Sequence, residues 1–182
     1  VQQQREQNSQ IFFMGNVTRF RAQPELIAPW ADYSEMSLQL LDRLDSPPLG
    51  TIAEVGVGEG WLLPHLHARA ARVIALDLSE EMLALARHHA GHLAGIEFVQ
   101  SSTDALLASG VAVDAVIANM VLHHVPDPRR ILADAANLLT PSGTLVVSEL
   151  CAHDQAWARE HCGDLWLGFM PDELVEWAAD AN

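Results

Sequence analysis

Three glycines at alternate positions, Gly56, Gly58 and Gly60, follow a short apolar run and an acidic residue, Glu54, in the stretch AEVGVGEGW (residues 53–61). Glycine at such a place lets a backbone turn sharply and approach a ligand closely. A dinucleotide fingerprint, G-x-G-x-x-G counted from Gly56, needs its third glycine at position 61, which holds Trp61. A phosphate-cradling loop needs G-x-x-x-x-G-K-[ST], and all ten Lys+Arg residues of this chain are arginine. What remains is E-x-G-x-G-x-G, and an acidic residue in the approach suits a cationic ligand group better than a pyrophosphate. Asp77, 17 positions after Gly60, ends the next apolar run. A carboxylate there can accept both ribose hydroxyls of a nucleoside. Dinucleotide enzymes do the same, so Glu54 with the glycine spacing discriminates where Asp77 alone does not.

The elements that must position these residues alternate along the chain. Residues 51–57, 72–77, 96–100, 113–119 and 143–150 read as strands, several of them nearly continuous apolar runs. Between them lie WLLPHLHARA, SEEMLALARHHAGHL (79–93, Ser79 a cap and Glu80 and Glu81 at the positive end of the dipole) and DPRRILADAANLL (127–139), all helical in pattern. This order predicts an α/β fold: a doubly wound, mainly parallel sheet with helices on both faces. After residue 150 a short helix, a loop and the helix PDELVEWAAD follow with no further strand, which predicts a sheet whose C-terminal strands are missing. Residues 1–46 are expected to form an N-terminal helical linker or cap, and 47–182 the ligand-binding domain.

Composition narrows the class. At 182 residues and 49% hydrophobic content, the chain suits one globular domain, and no apolar run is long enough to span a membrane. The polar start, VQQQREQNSQ, is no signal peptide, and two cysteines, Cys151 and Cys162, form no disulfide framework, so a cytoplasmic setting is expected. A formal net charge of −14 disfavours nucleic acid as a partner of this chain alone.

The chain resembles the class I S-adenosylmethionine-dependent methyltransferases from about residue 50 to 150. EVGVGEG resembles their first motif, RVIALDLSEEMLALAR the second-strand region, VDAVIANMVLHHVPDP the fourth and LLTPSGTLVVSEL the fifth. The resemblance implies a Rossmann-like sheet and S-adenosylmethionine as cofactor. It sets Gly56 and Gly58 against the methionine moiety, gives Gly60 a packing role, and places Glu54 by the amino group and Asp77 on the ribose. Leu78 and Met82 would pack on the adenine or fill the core. Ser102, Thr103 and Asp104 follow strand three, where the family has a polar contact to the adenine edge; Asp104 could equally cap a helix. Asn119 and Met120 would face the sulfonium. Many relatives carry cysteine where this chain has Val57, with little effect expected. Outside the core, IFF near residue 12, HDQAWARE (153–160) and GDLWLGFMPDELVEWA (163–178) resemble methyltransferase domains fused behind ArsR-type winged-helix regulators, which implies a DNA-binding domain N-terminal to Val1.

The expected activity is methyl transfer to a small-molecule acceptor, with a homodimer possible; the alternatives are a non-catalytic sensor of the cofactor or its demethylated product, and an NAD-linked dehydrogenase. A base is needed for hydroxyl, thiol or protonated amine acceptors. His123, His124 and His153 are the candidates, with Asp154 able to orient one; each could instead line a cleft wall. No metal is expected: Cys151, His153, His161 and Cys162 match no zinc spacing, and His88 and His92 suit a solvated helix face. Metalloid methylation, which relies on several cysteines, fits poorly. Trp157, Trp166, Phe169 and Trp177 would wall a pocket or bury against missing strands.

Overall fold

A computed structural model describes residues 30–43 and 49–181. Five strands, β1 (Leu49–Val55), β2 (Ala70–Asp77), β3 (Ile96–Gln100), β4 (Val113–Asn119) and β5 (Leu139–Ser148), form one sheet in the order β3-β2-β1-β4-β5. Every neighbouring pair is parallel. Helices α1 (Trp30–Leu41), α2 (Leu63–His67), α3 (Glu80–Ala90), α4 (Thr103–Ala108), α5 (Pro128–Leu138), α6 (Trp157–His161) and α7 (Pro171–Asp180), with a 3-10 turn at Leu122–His124, complete the described chain. The fold is therefore the expected Rossmann-like one.

The central strands are buried on both faces, which is why they read as apolar runs. Ile52, Ala75, Ala115 and Ile117 face Leu63, Leu66, Leu83 and Ala86 on one side; Ala53, Ile74, Leu76 and Val116 face Leu106, Ala135 and Leu138 on the other. Leu41 belongs to the first of these cores. The described part of the 1–46 segment is thus packed into the domain, while residues 1–29, including the IFF motif, lie outside the described residues.

Several boundaries differ from expectation for physical reasons. Strand one ends at Val55, because Gly56 takes a left-handed φ of +69° and begins the loop. The fifth strand begins at Leu139 rather than 143: Pro141 does not interrupt it, because β5 is an edge strand of the sheet, where proline is tolerated. Helix α4 was anticipated only through the alternative that Asp104 caps a helix, since six residues are too few to show a helical period; the cap position is Ser102. Ser79 does cap α3, its hydroxyl accepting from the Met82 N–H at 3.2 Å. The aromatic residues find partners inside the fold. Phe169 is buried with Leu122 and Leu132, flanked by Trp166 and Trp177, and the Trp166 indole N–H donates to the Val125 carbonyl at 2.8 Å. Trp157 stands apart, half-buried beside His161. His88 and His92 are exposed, as expected.

Candidate functional site

From β1 the chain turns to β2 and β3 on one side, and from β4 to β5 on the other. The strand order therefore reverses between β1 and β4, and ligands of open α/β sheets bind at the carboxyl ends of the strands at such a point. The glycine loop emerges there. Its start is fixed to β2, with the Gly56 and Val57 N–H groups donating to the Leu76 carbonyl at 2.8 and 3.0 Å. Gly56 presses on Val121, where a Cβ would sit 2.4 Å from a methyl group. A Cβ at Gly60 would sit 2.8 Å from the Ala86 Cα, so this glycine seats the loop on α3. Gly58 differs: φ is +53° and a Cβ there would meet nothing within 4 Å. Its open side is available to a ligand.

Asp77 holds the loop from below. Its Oδ2 accepts from the Gly58 N–H at 3.0 Å and its Oδ1 from the Ser79 N–H at 2.9 Å. Burial raises its carboxyl pKa, and these backbone donors oppose the rise. Each oxygen keeps a lone pair for a ligand hydroxyl. Glu54 lies behind, 4% exposed, with Oε2 lacking any hydrogen-bond partner. Burial, and then the Asp77 charge, push its pKa up to about 8. An uncompensated buried carboxyl is expensive unless a partner arrives. Its charge bears on Tyr33 of α1, whose phenol pKa is raised by burial and by Glu54.

The other expected contacts divide. Leu78 is 54% exposed beside the loop, free to cover a ring, whereas Met82 is 4% exposed and packed in. Ser102 holds the cap position of α4 and donates to Asp104, which sits one residue inside the helix and is exposed. Thr103 is turned away: its hydroxyl donates to Asp134 Oδ2 at 2.8 Å, a buried bond joining α4 to α5. Asn119 and Met120 leave β4 at the reversal point. Met120 adopts φ 52° and its N–H donates to the Ser148 carbonyl at 2.8 Å. The Asn119 side-chain oxygen accepts from Ser37 of α1 at 2.6 Å, so α1 reaches over the ends of the strands. A cavity of about 230 Å³ opens between α1, the end of β5 and the start of α7, lined by Met36, Leu40, Val147, Phe169, Ser37 and Ser148.

The histidines are brought together, but not on an open cleft. His123 is 3% exposed, and its Nδ1 lies 2.5 Å from Glu149 Oε1. Glu149 also accepts from the Leu122, His123 and Leu150 N–H groups. His124 stacks beside His123 with ring centroids 4.0 Å apart, and burial drives its pKa well below the ordinary value. His153 is half-buried, while Asp154, offered as its orienting partner, is exposed and bonds Gln155. Asp164, 2% exposed, faces His123 and His124 instead. Sequence reasoning missed Ser37, Tyr33, Glu149 and Asp164. Only Glu149 carried a signal, an acidic residue at the end of an apolar strand, the same signal that marked Asp77.

Residues 53–147 match the profile of a family described as "Methyltransferase domain". The chain is 35% identical over 152 residues to the ubiquinone biosynthesis O-methyltransferase of Xanthomonas axonopodis pv. citri, covering 75% of this chain and 63% of that protein. It spans less than two thirds of the length of the curated relatives it matches first. Among solved structures, the Haloferax volcanii complex of the Trm112 methyltransferase activator with a methyltransferase shares the fold at TM-score 0.75 and 21% identity, covering 95% of this chain and 75% of that one. The N-methyltransferase NodS of Bradyrhizobium japonicum, in complex with S-adenosyl-L-homocysteine, does so at TM-score 0.65 and 20% identity, covering 89% and 85%.

Proposed function

Because this chain belongs to the methyltransferase-domain family, we propose that it binds S-adenosylmethionine across the glycine loop and directs its methyl group to a small-molecule acceptor. The observation that carries this reading is Glu54, a buried carboxyl with an oxygen that no protein group satisfies, placed behind a glycine loop. A cationic amino group is what such an oxygen lacks. Gly58 offers backbone to the methionine moiety, Asp77 takes the ribose hydroxyls, and Leu78 covers the adenine with Ser102 and Asp104 at its edge. Thr103 is left out, its hydroxyl being committed to Asp134.

The cofactor, when bound, supplies a methyl group already activated by sulfonium. The protein's part is then to align donor and acceptor and to exclude water, and alignment alone is worth several kcal/mol of barrier. Asn119, held by Ser37, and Met120, held in a left-handed turn by Ser148, set the floor on which the reacting atoms meet. The acceptor occupies the mainly apolar cavity under α1, whose size suits a compact ring system and whose serines can orient a polar substituent. The Xanthomonas relative is named for O-methylation, which supports a hydroxyl acceptor. His123, bonded to Glu149 at the cavity's edge, and His124 and His153 are not assigned as the base in this reading.

Among the described residues no helix is long and apolar enough to cross a membrane. We place the protein in the cytoplasm, and the 153–178 motif favours service within a regulator-fused protein. Calorimetric titration with S-adenosylmethionine and S-adenosylhomocysteine tests the core of the proposal. Binding that Asp77→Ala weakens at least tenfold is expected. Wild-type protein that is folded by circular dichroism and binds neither ligand refutes it.

A further inference from the structure

We propose that His123, His124, Asp164 and His153 form a buried divalent-cation site of the zinc class, separate from the glycine loop. Three segments that are distant in sequence converge on it: the 3-10 turn after β4, the segment after β5, and the loop following α6. One ligand atom from each of His123, His124 and Asp164 lies within 4.8 Å of the other two. His123 Nε2 is 3.9 Å and His124 Nδ1 is 3.7 Å from Asp164 Oδ1. Zinc bonds nitrogen and oxygen ligands at about 2.0–2.2 Å, so tetrahedral neighbours stand roughly 3.3–3.6 Å apart. Movements of a few tenths of an ångström would bring each histidine to that distance from Asp164.

The chemistry of the first three groups favours a cation. Glu149 accepts three backbone N–H groups, so its contact with His123 Nδ1 makes that nitrogen the donor. The lone pair of His123 then lies on Nε2, aimed at Asp164. When Asp164 is ionised, nitrogen and carboxylate oxygen face each other as two acceptors across a gap; burial raises the Asp164 pKa, and a cation would offset that cost. A carboxylate on the far nitrogen of a histidine is the usual support for a metal-bound imidazole. Asp164, with its side chain fully buried, has no hydrogen-bond partner on either oxygen. Two buried carboxylates, Glu149 and Asp164, balance the charge of one divalent ion. Arg159 also offsets Asp164 at a distance, but its own hydrogen bond goes to the Leu165 carbonyl at 3.4 Å.

His153 is assigned the fourth position on chemistry rather than on proximity, since among the described residues only His123, His124 and Asp164 have ligand atoms within 4.8 Å of one another. Its Nε2 is buried without a partner, its Nδ1 accepts from the Gln155 N–H at 3.2 Å, and its charge bears on Asp164. Nitrogen and oxygen ligands in this number suit zinc or cobalt rather than magnesium or calcium. The wall is already pinned on one side, since the Leu165 and Trp166 N–H groups donate to the His123 carbonyl at 2.9 and 3.1 Å. A cation would fasten the other side, joining the 3-10 turn, the strand end and the loop beneath the aromatic cluster.

The test uses the 182-residue chain, stripped with chelator and titrated with Co2+ and then Zn2+. One ion per chain is expected, with the visible bands of tetrahedral cobalt, no thiolate charge-transfer band, and displacement by zinc. Asp164→Asn is expected to weaken cobalt binding at least 100-fold, and the control His92→Gln, at an exposed position, to leave it unchanged. Should Asp164→Asn fail to fold, His153→Gln replaces it, with an expected loss of at least tenfold and a shift of the cobalt bands. Folded wild type that takes up no cobalt overturns the proposal. So does a thiolate band, which would put Cys162 in the set, or a folded Asp164→Asn that binds as wild type. S-adenosylmethionine titration of the stripped chain keeps the two sites' outcomes apart.

Discussion

Replacing Glu54 by glutamine should make the protein more stable and bind its cofactor less well. A carboxyl whose pKa rises from 4.5 to about 8 on folding holds its proton in the native state long after the unfolded chain has lost it. Below pH 4.5 both states are protonated and the contribution is complete. Between pH 4.5 and 8 the native state binds the extra proton, so stability falls by about 1.4 kcal/mol per pH unit. By pH 7 roughly 3 kcal/mol is gone, and above pH 8 nearly 5. Glutamine does not titrate, so the variant should escape this loss. At pH 7.5 its melting temperature should exceed wild type by on the order of 10 °C, given about 2–4 °C per kcal/mol in a domain of this size. The assay is thermal unfolding of both proteins from pH 5 to pH 8.5. Near pH 5 the two should nearly coincide, and the gap should open as pH rises. Parallel pH profiles would refute the reasoning. The same carboxyl must ionise to receive an ammonium group, so wild-type affinity for S-adenosylmethionine should weaken about tenfold from pH 7 to pH 6. Glu54→Gln should be weak at both.

Other substitutions separate the roles within the site. Gly58→Ala puts a side chain into open space at positive φ, so it should cost about 1–2 kcal/mol of stability and at least tenfold in cofactor affinity by calorimetry. Gly56→Ala drives a Cβ to within 2.4 Å of Val121 and should destabilise by several kcal/mol in urea unfolding, beyond the strain at its φ. Thr103→Val strands the buried Asp134 oxygen and should cost about 1–3 kcal/mol while leaving cofactor affinity unchanged.

The residues proposed for the cofactor were legible because they are local. Glu54 near the end of β1 and Gly56, Gly58 and Gly60 in the loop after it alternate within seven residues, and Asp77 ends the adjacent strand, so spacing carries the geometry directly. The register of β1 on β2 then places Val55 opposite Leu76 and leaves Asp77 beneath the loop. The Thr103 side chain turns away from the loop, which position after a strand does not reveal. Its hydroxyl meets Asp134, 31 residues on, in a bond visible only once α4 and α5 are packed.

The rest of the site was illegible for the same reason carried further. Ser37 and Asn119 are 82 residues apart, and His123 meets Glu149 across 26. No motif spans such gaps, because the parallel sheet, not the chain, supplies the proximity: β4 and β5 lie side by side and end together. The residues that follow those ends, 120–124 and 149–153, must then share one edge. An acidic residue ends β2 at Asp77, and another follows β5 at Glu149. Only the first had a loop of glycines beside it to declare a ligand. The second has histidines, gathered from the same edge, and its partner Asp164 arrives from a segment that no strand pattern orders. Residues that close adjacent parallel strands therefore merit joint reading even when no spacing links them.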